Sequence, residues 1–282
     1  MPRSDLTRGN APLVIRGARF AWGERTFVMG IINATPDSFS GDGVGGDAAA
    51  AAQRAKDFVA AGCHMIDIGG ESTRPGHSPV SEADESERVL PVIEAVRAAV
   101  DVPISIDTSK PAVAHAALAA GADMVNCVWG APLDIAGVAA RARAPLVVMH
   151  NQATPEYDGD VVSRVIESLE RSVRDAENAG VPGERIIVDP GIGFGKTAEH
   201  NVEILARLRE IAERLPFPLL VGTSRKSFIG ALTGQPVHGR AFGTAASVAL
   251  AIAGGADIVR VHDVAEMMAA AAVADAIVRR SA

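Results

Sequence analysis

Asp189 stands between an apolar, β-branched run, Ile186-Ile187-Val188, and the abruptly breaking stretch Pro190-Gly191-Ile192-Gly193-Phe194-Gly195-Lys196. Such a pattern predicts a buried parallel strand that delivers a carboxylate to its carboxyl end, followed by a tight loop. A phosphate-cradling glycine loop fits poorly. Pro190 stands where a Walker-type loop needs its first glycine, and Lys196 where GxGxxG needs its last. Asp189 is therefore read as an acid that holds something other than a nucleotide.

The same device recurs along the chain. Strand-like segments end in Asn33, Asp67, Asp107, Asn126, His150, Asp189, Ser224-Arg225-Lys226 and Arg260-Val261-His262. Any one of these tips could be a helix cap or a satisfied buried polar group. A whole series is better explained by convergence on one cavity. By chemistry they sort into two halves. Asp107, Asn126, Asp189 and Lys226 offer acceptors and donors suited to a flat, amide-like heterocycle. Asn33, Arg260 and His262 suit phosphate oxygens and a divalent ion.

The elements that must position these groups are eight predicted strands: Phe27–Asn33, His64–Ile68, Ile104–Asp107, Met124–Cys127, Leu146–His150, Ile186–Asp189, Leu219–Gly222 and Ile258–Val261. Alanine-rich or apolar-periodic stretches between them read as helices, among them Asp47–Ala61, Glu82–Val100, Pro111–Ala120, Val161–Ala179, Ala198–Leu215, Gly243–Ala253 and Ala265–Arg279. Each unit spans about 32 residues, close to the ~250-residue total of a (β/α)8 TIM barrel. A single barrel domain over residues 1–282 is expected, with 1–12 as a loose tail and a short hairpin at Leu13–Phe20. An open, doubly wound sheet is the alternative topology. In a barrel, the carboxyl ends of the strands open into one active-site cavity.

Composition narrows the function classes. The formal net charge of −7 argues against a nucleic-acid partner. Cys63 and Cys127 form neither a disulfide framework nor a zinc spacing, which points to a reducing cytoplasm. The first residues lack the apolar core of a signal peptide, and no apolar run is long enough to span a membrane. His64 and His115, mid-strand and mid-helix, are read as structural. Two long loops, Ala34–Gly46 and Gly69–Val80, exceed the ~2–6 residues usual for βα connections and read as lids or binding loops, the first carrying Asp37 and the second Arg74.

The stretches MGIINATPDSFSGDG, DIGGESTRPG, SIDTSKP, IIVDPGIGFGKTAEHN, VGTSRKSFIG and DIVRVHDV resemble, in order and spacing, the bacterial dihydropteroate synthase family from Met29 to Val264. The resemblance implies a TIM barrel, generally dimeric. It also implies an enzyme that joins 4-aminobenzoate to 6-hydroxymethyl-dihydropterin pyrophosphate with loss of pyrophosphate, using magnesium. On this resemblance Asp107, Asn126, Asp189 and Lys226 hold the pterin. Asn33, Arg74, Arg260 and His262 face pyrophosphate, with Asn33 on magnesium. Phe39, Thr73, Arg74, Pro75, Phe194 and Ser227 frame the aminobenzoate and sulfonamides that imitate it. Asp37 joins Asn33, Arg74, Lys226, Arg260 and His262 in the catalytic set. Where the family normally has Asn-Asp, this chain has Asn126-Cys127. A pterin-binding methyltransferase serving a corrinoid protein would share the pterin tips, but has no need of the two long loops or the phosphate side. A non-catalytic pterin-binding relative is favoured only by Cys127.

Overall fold

A computed structural model describes residues 12–35, 46–71 and 80–279. Asp37, Phe39, Thr73, Arg74 and Pro75 lie outside the described residues. The chain begins with the expected antiparallel hairpin, β1 (Leu13–Ile15) and β2 (Ala18–Phe20). Eight parallel strands follow: β3 (Phe27–Asn33), β4 (Met65–Gly69), β5 (Ile104–Asp107), β6 (Met124–Cys127), β7 (Leu146–Met149), β8 (Ile186–Asp189), β9 (Leu220–Val221) and β10 (Ile258–Val261). Consecutive strands pair in sequence order from β3 to β8, β10 pairs with both β3 and β9, and a parallel bridge from Val188 to Leu219 closes the ring. Closure excludes the open doubly wound sheet and makes the fold a TIM barrel with an N-terminal hairpin.

Ten helices surround the barrel among the described residues: α1 (Ala48–Ala60), α2 (Glu82–Ala99), α3 (Pro111–Ala119), α4 (Leu133–Ala142), α5 (Val161–Asn178), α6 (Ala198–Ala206), α7 (Leu208–Arg214), α8 (Ser227–Thr233), α9 (Ala241–Ala253) and α10 (Val264–Val278). The single helix expected over Ala198–Leu215 is broken at Arg207, whose guanidinium is drawn out to Asp160, Glu203 and Glu210. Strand parity explains the two cores. Outward residues such as Ile66, Ile68, Ile104 and Ile106 pack on the helices. Inward residues Met29, Met65, Met124, Val147, Ile187, Leu220 and Ile258 fill the floor, and Phe20, Trp22 and Phe27 of the hairpin region cap it from below. An apolar floor leaves the polar chemistry to the carboxyl ends of the strands.

Candidate active site

The centre of the site is a buried charge cluster drawn from four strands. Asp67 lies two residues before the end of β4, so it points inward on the same side as Gly69, one layer below the rim. Its Oδ2 accepts from Arg260 Nε of β10 at 2.6 Å and from Asn126 Nδ2 of β6 at 3.1 Å. Arg260 turns its second face to Asp107 at the end of β5, with Nη2 2.7 Å from Oδ2. One guanidinium thus spans two carboxylates, the geometry for which arginine is suited. The remaining oxygens, Oδ1 of Asp67 and Oδ1 of Asp107, are buried without a hydrogen-bond partner. Two unsatisfied acceptors in a native cluster point to a ligand that supplies donors. Burial raises the Asp107 carboxyl to about 7, with Arg260 pulling the other way. Burial also disfavours charge on Arg260, but Asp67 and Asp107 outweigh it and its pKa is raised.

Asp189 ends β8 beside this cluster. Its Oδ1 accepts the Gly191 N–H at 2.7 Å, which bends the chain sharply out of the strand. Gly191 has φ +69°, and a Cβ there would lie 1.9 Å from the His150 carbonyl oxygen, so the turn requires glycine. Burial lifts the Asp189 carboxyl to about 6, against the Gly191 N–H and the nearby Lys226 charge. Lys226 precedes α8 and holds its ammonium 3.8 Å from the Phe194 ring centroid, a cation–π contact. Asp189, Lys226 and Phe194 therefore form one wall.

The opposite side is built from β3, β9 and β10. Asn33 ends β3 at the rim, partly exposed. His262 follows β10, and Ser224 Oγ meets it twice, accepting its backbone N–H at 3.1 Å and lying 2.9 Å from Nδ1. That contact fixes the ring and turns Nε2 away from Ser224. Arg225, in the left-handed region at φ +55°, pairs with Asp263 and ties the β9 turn to the β10 turn. Ser227 begins α8 next to Lys226. Just past the ends of β4 and β5, Lys110 Nζ lies 2.5 Å from both Glu71 and Glu85, and Glu71 Oε1 accepts the Val80 N–H at 2.8 Å.

Of the expected residues, the structure brings Asp107, Asn126, Arg260, Asp189, Lys226 and Phe194 together, and sets Asn33, His262 and Ser227 around them. It does not keep the two expected halves apart. Arg260, assigned to phosphate, is bound to Asp107, assigned to the heterocycle. The sequence reading gave no role to Asp67, Ser224 or Lys196. Asp67 already stands among the polar tips; nothing local could have paired it with Arg260, 193 positions away. Cys127 is fully buried in the outer apolar core, facing the helices, so its sulfur is no part of the cavity. His64 is structural as expected: its Nδ1 accepts the Val28 N–H at 3.0 Å.

Residues 29–262 match the pterin binding enzyme family. The chain is 50% identical over 277 residues to a dihydropteroate synthase of Synechocystis sp., covering 95% of this chain and 96% of that one. It is 47% identical to a dihydropteroate synthase of Bacillus subtilis, covering 91% and 90% respectively. Among solved structures it is similar to the Xanthomonas albilineans dihydropteroate synthase in complex with 7,8-dihydropteroate, with TM-score 0.84, 39% identity, and coverage of 94% and 98%. Site geometry and likeness agree, and the chain belongs to the pterin-binding enzyme family, among its dihydropteroate synthases.

Proposed function

We propose that this chain joins 4-aminobenzoate to 6-hydroxymethyl-7,8-dihydropterin pyrophosphate, releasing 7,8-dihydropteroate and pyrophosphate. The observation that carries the reading is the set of buried acids, Asp67, Asp107 and Asp189, gathered around Arg260 with acceptor oxygens left over. A reduced pterin presents ring N–H and exocyclic amine donors to such oxygens, and Lys226 and Asn126 serve its carbonyl and ring nitrogens. Asp189 takes the donors at one edge while Phe194 and Lys226 bound the adjoining face. Arg260 and His262 stabilise charge on the departing pyrophosphate, as preorganised donors do. The C–O bond breaks ahead of attack, and the buried carboxylates ease the positive charge left on the pterin methylene. The arylamine of 4-aminobenzoate then attacks that carbon, so no protein nucleophile is needed. Ser227 and the two long loops frame the aminobenzoate.

Magnesium fits this donor set. Among the described residues no three His, Cys, Asp or Glu side chains gather into a cage. A magnesium ion that arrives on the diphosphate needs few protein oxygens, and the Asn33 amide oxygen at the rim would hold it. When bound, it neutralises leaving-group charge. The chain works as a homodimer in the cytoplasm on this reading. Among the described residues no helix is long and apolar enough to cross a membrane. Phe242 and Leu250 of α9 and Leu232 of α8 are exposed by 90%, 64% and 65%, with only Ala246 between the first two on the same stripe, a surface suited to a second copy of this chain. The function is tested by incubating purified protein with the pterin pyrophosphate, 4-aminobenzoate and magnesium. Dihydropteroate is the expected product, and its absence would overturn the proposal.

A further inference from the structure

The loop after β8 is folded around an ammonium group for which the reaction above has no use. Lys196 turns back into its own loop, with Nζ 2.9 Å from the Gly191 carbonyl, 3.0 Å from the Phe194 carbonyl and 2.8 Å from His150 Nδ1. Burial lowers the Lys196 pKa to about 7, with Asp189 pulling the other way; as an ammonium it carries three N–H donors, and three close acceptors meet it. His150 can accept because burial, with Lys196 beside it, pushes its pKa down to about 3 and keeps the ring neutral. The two carbonyls belong to the residues that matter most in the loop. Gly191 donates the N–H that caps Asp189, and Phe194 carries the ring under Lys226.

The loop is thin and held from both sides. A Cβ at Gly191 would lie 3.3 Å from Lys196 Nζ, and one at Gly193 would lie 2.8 Å from Lys226 Cδ. Nothing thicker than glycine backbone fits between the two lysines at these points. Tyr157 closes the outer side, donating its hydroxyl to the Gly195 carbonyl at 3.0 Å. Any shift of the Lys196 ammonium is therefore passed to the Phe194 ring and to Lys226.

We propose that Lys196 is a positioning residue for the pterin: by fastening the Gly191 and Phe194 carbonyls to His150, it sets the height of the Phe194 ring and hence the place of the Lys226 ammonium. The inference rests on the pterin reading of the site. A residue that only stabilised the fold would weaken every ligand alike, or none. A residue acting through Lys226 would lose its effect once Lys226 is gone.

The test is a double-mutant cycle with Lys196→Met and Lys226→Ala, read by calorimetric titration of a dihydropterin lacking phosphate. Lys196→Met should weaken pterin on the order of tenfold in the native background, and less than about threefold in the Lys226→Ala background. Should Lys196→Met fail to fold, His150→Leu takes its place. It leaves the ammonium and both carbonyl contacts, and a smaller loss with the same dependence on Lys226 is expected. Wild-type protein that binds no pterin overturns the functional reading and this inference with it. Wild type that binds, with a substituted protein that binds equally well or loses the same factor in both backgrounds, overturns the role of Lys196 alone.

Discussion

Replacing Asp189 by asparagine keeps the size of the side chain and keeps an oxygen for the Gly191 N–H, but ends its ability to accept at the second position. The amide nitrogen would then face the pterin as a donor to a donor. Two charge-assisted hydrogen bonds at roughly 1.5–3 kcal/mol each are lost or inverted, about 3–6 kcal/mol in all. That corresponds to a loss of roughly two to four orders of magnitude in pterin affinity. Stability should move the other way. Burial raises this carboxyl from its ordinary 3.8 to about 6, so the contribution of the acid to stability is whole below 3.8 and is lost as pH rises through 6. At pH 8 the asparagine protein, with no charge to bury, should melt no lower than wild type. Binding gives a second signature. Because the pterin needs the anion, wild-type affinity should fall as pH drops through about 6, and this step should vanish in the asparagine protein. The assay is calorimetric titration between pH 5 and pH 8, using a pterin that does not itself ionise there, alongside thermal melts. Pterin affinity within about threefold of wild type, or an unchanged step near pH 6, would refute the assignment.

Arg260→Ala strands Asp67 and Asp107 together in a buried site, so it should destabilise the fold by about 3–5 kcal/mol and weaken both pterin and pyrophosphate. Denaturant melts and paired titrations check this, and a loss confined to pyrophosphate would contradict the shared cluster. Cys127→Asp, restoring the residue usual in the family, buries an acid in an apolar layer whose nearest charges, Asp107 and Asp134, are also acidic. It should lower stability by roughly 2 kcal/mol or more, with the kcat of the folded fraction unchanged; a large gain in activity would show that the sulfur does face the chemistry. Phe242→Asp combined with Leu250→Asp should convert a dimer to monomers in sedimentation, whereas a monomeric wild type would end the dimer proposal.

The strand ends were legible because each is written locally: an apolar run, a polar residue and a break. All eight strands lie within one residue of the expected bounds at each end; β9, trimmed at both, keeps only Leu220–Val221, with Leu219 left in a single bridge. What could not be read was which tips touch. Arg260 lies at the far end of the chain from Asp67, and their meeting depends on barrel closure between β10 and β3, a property of register that no local pattern encodes. Side-chain type alone assigned Arg260 to phosphate; its length also lets it reach across to the carboxylates. The same limit hid Lys196. In the sequence it is simply the charge that ends a glycine run, and only the returning loop shows that it binds its own backbone.

In the proposed reaction the pterin C–O bond breaks at this site and the amine of 4-aminobenzoate takes the carbon. Substrate carrying oxygen-18 only in the bridge between the pterin methylene and the diphosphate tests it directly. Mass spectrometry of the products from the purified chain with 4-aminobenzoate and magnesium should find unlabelled dihydropteroate and all of the label in pyrophosphate. Label retained on a hydroxymethylpterin, or no dihydropteroate at all, would rule out C–O cleavage with transfer to the arylamine.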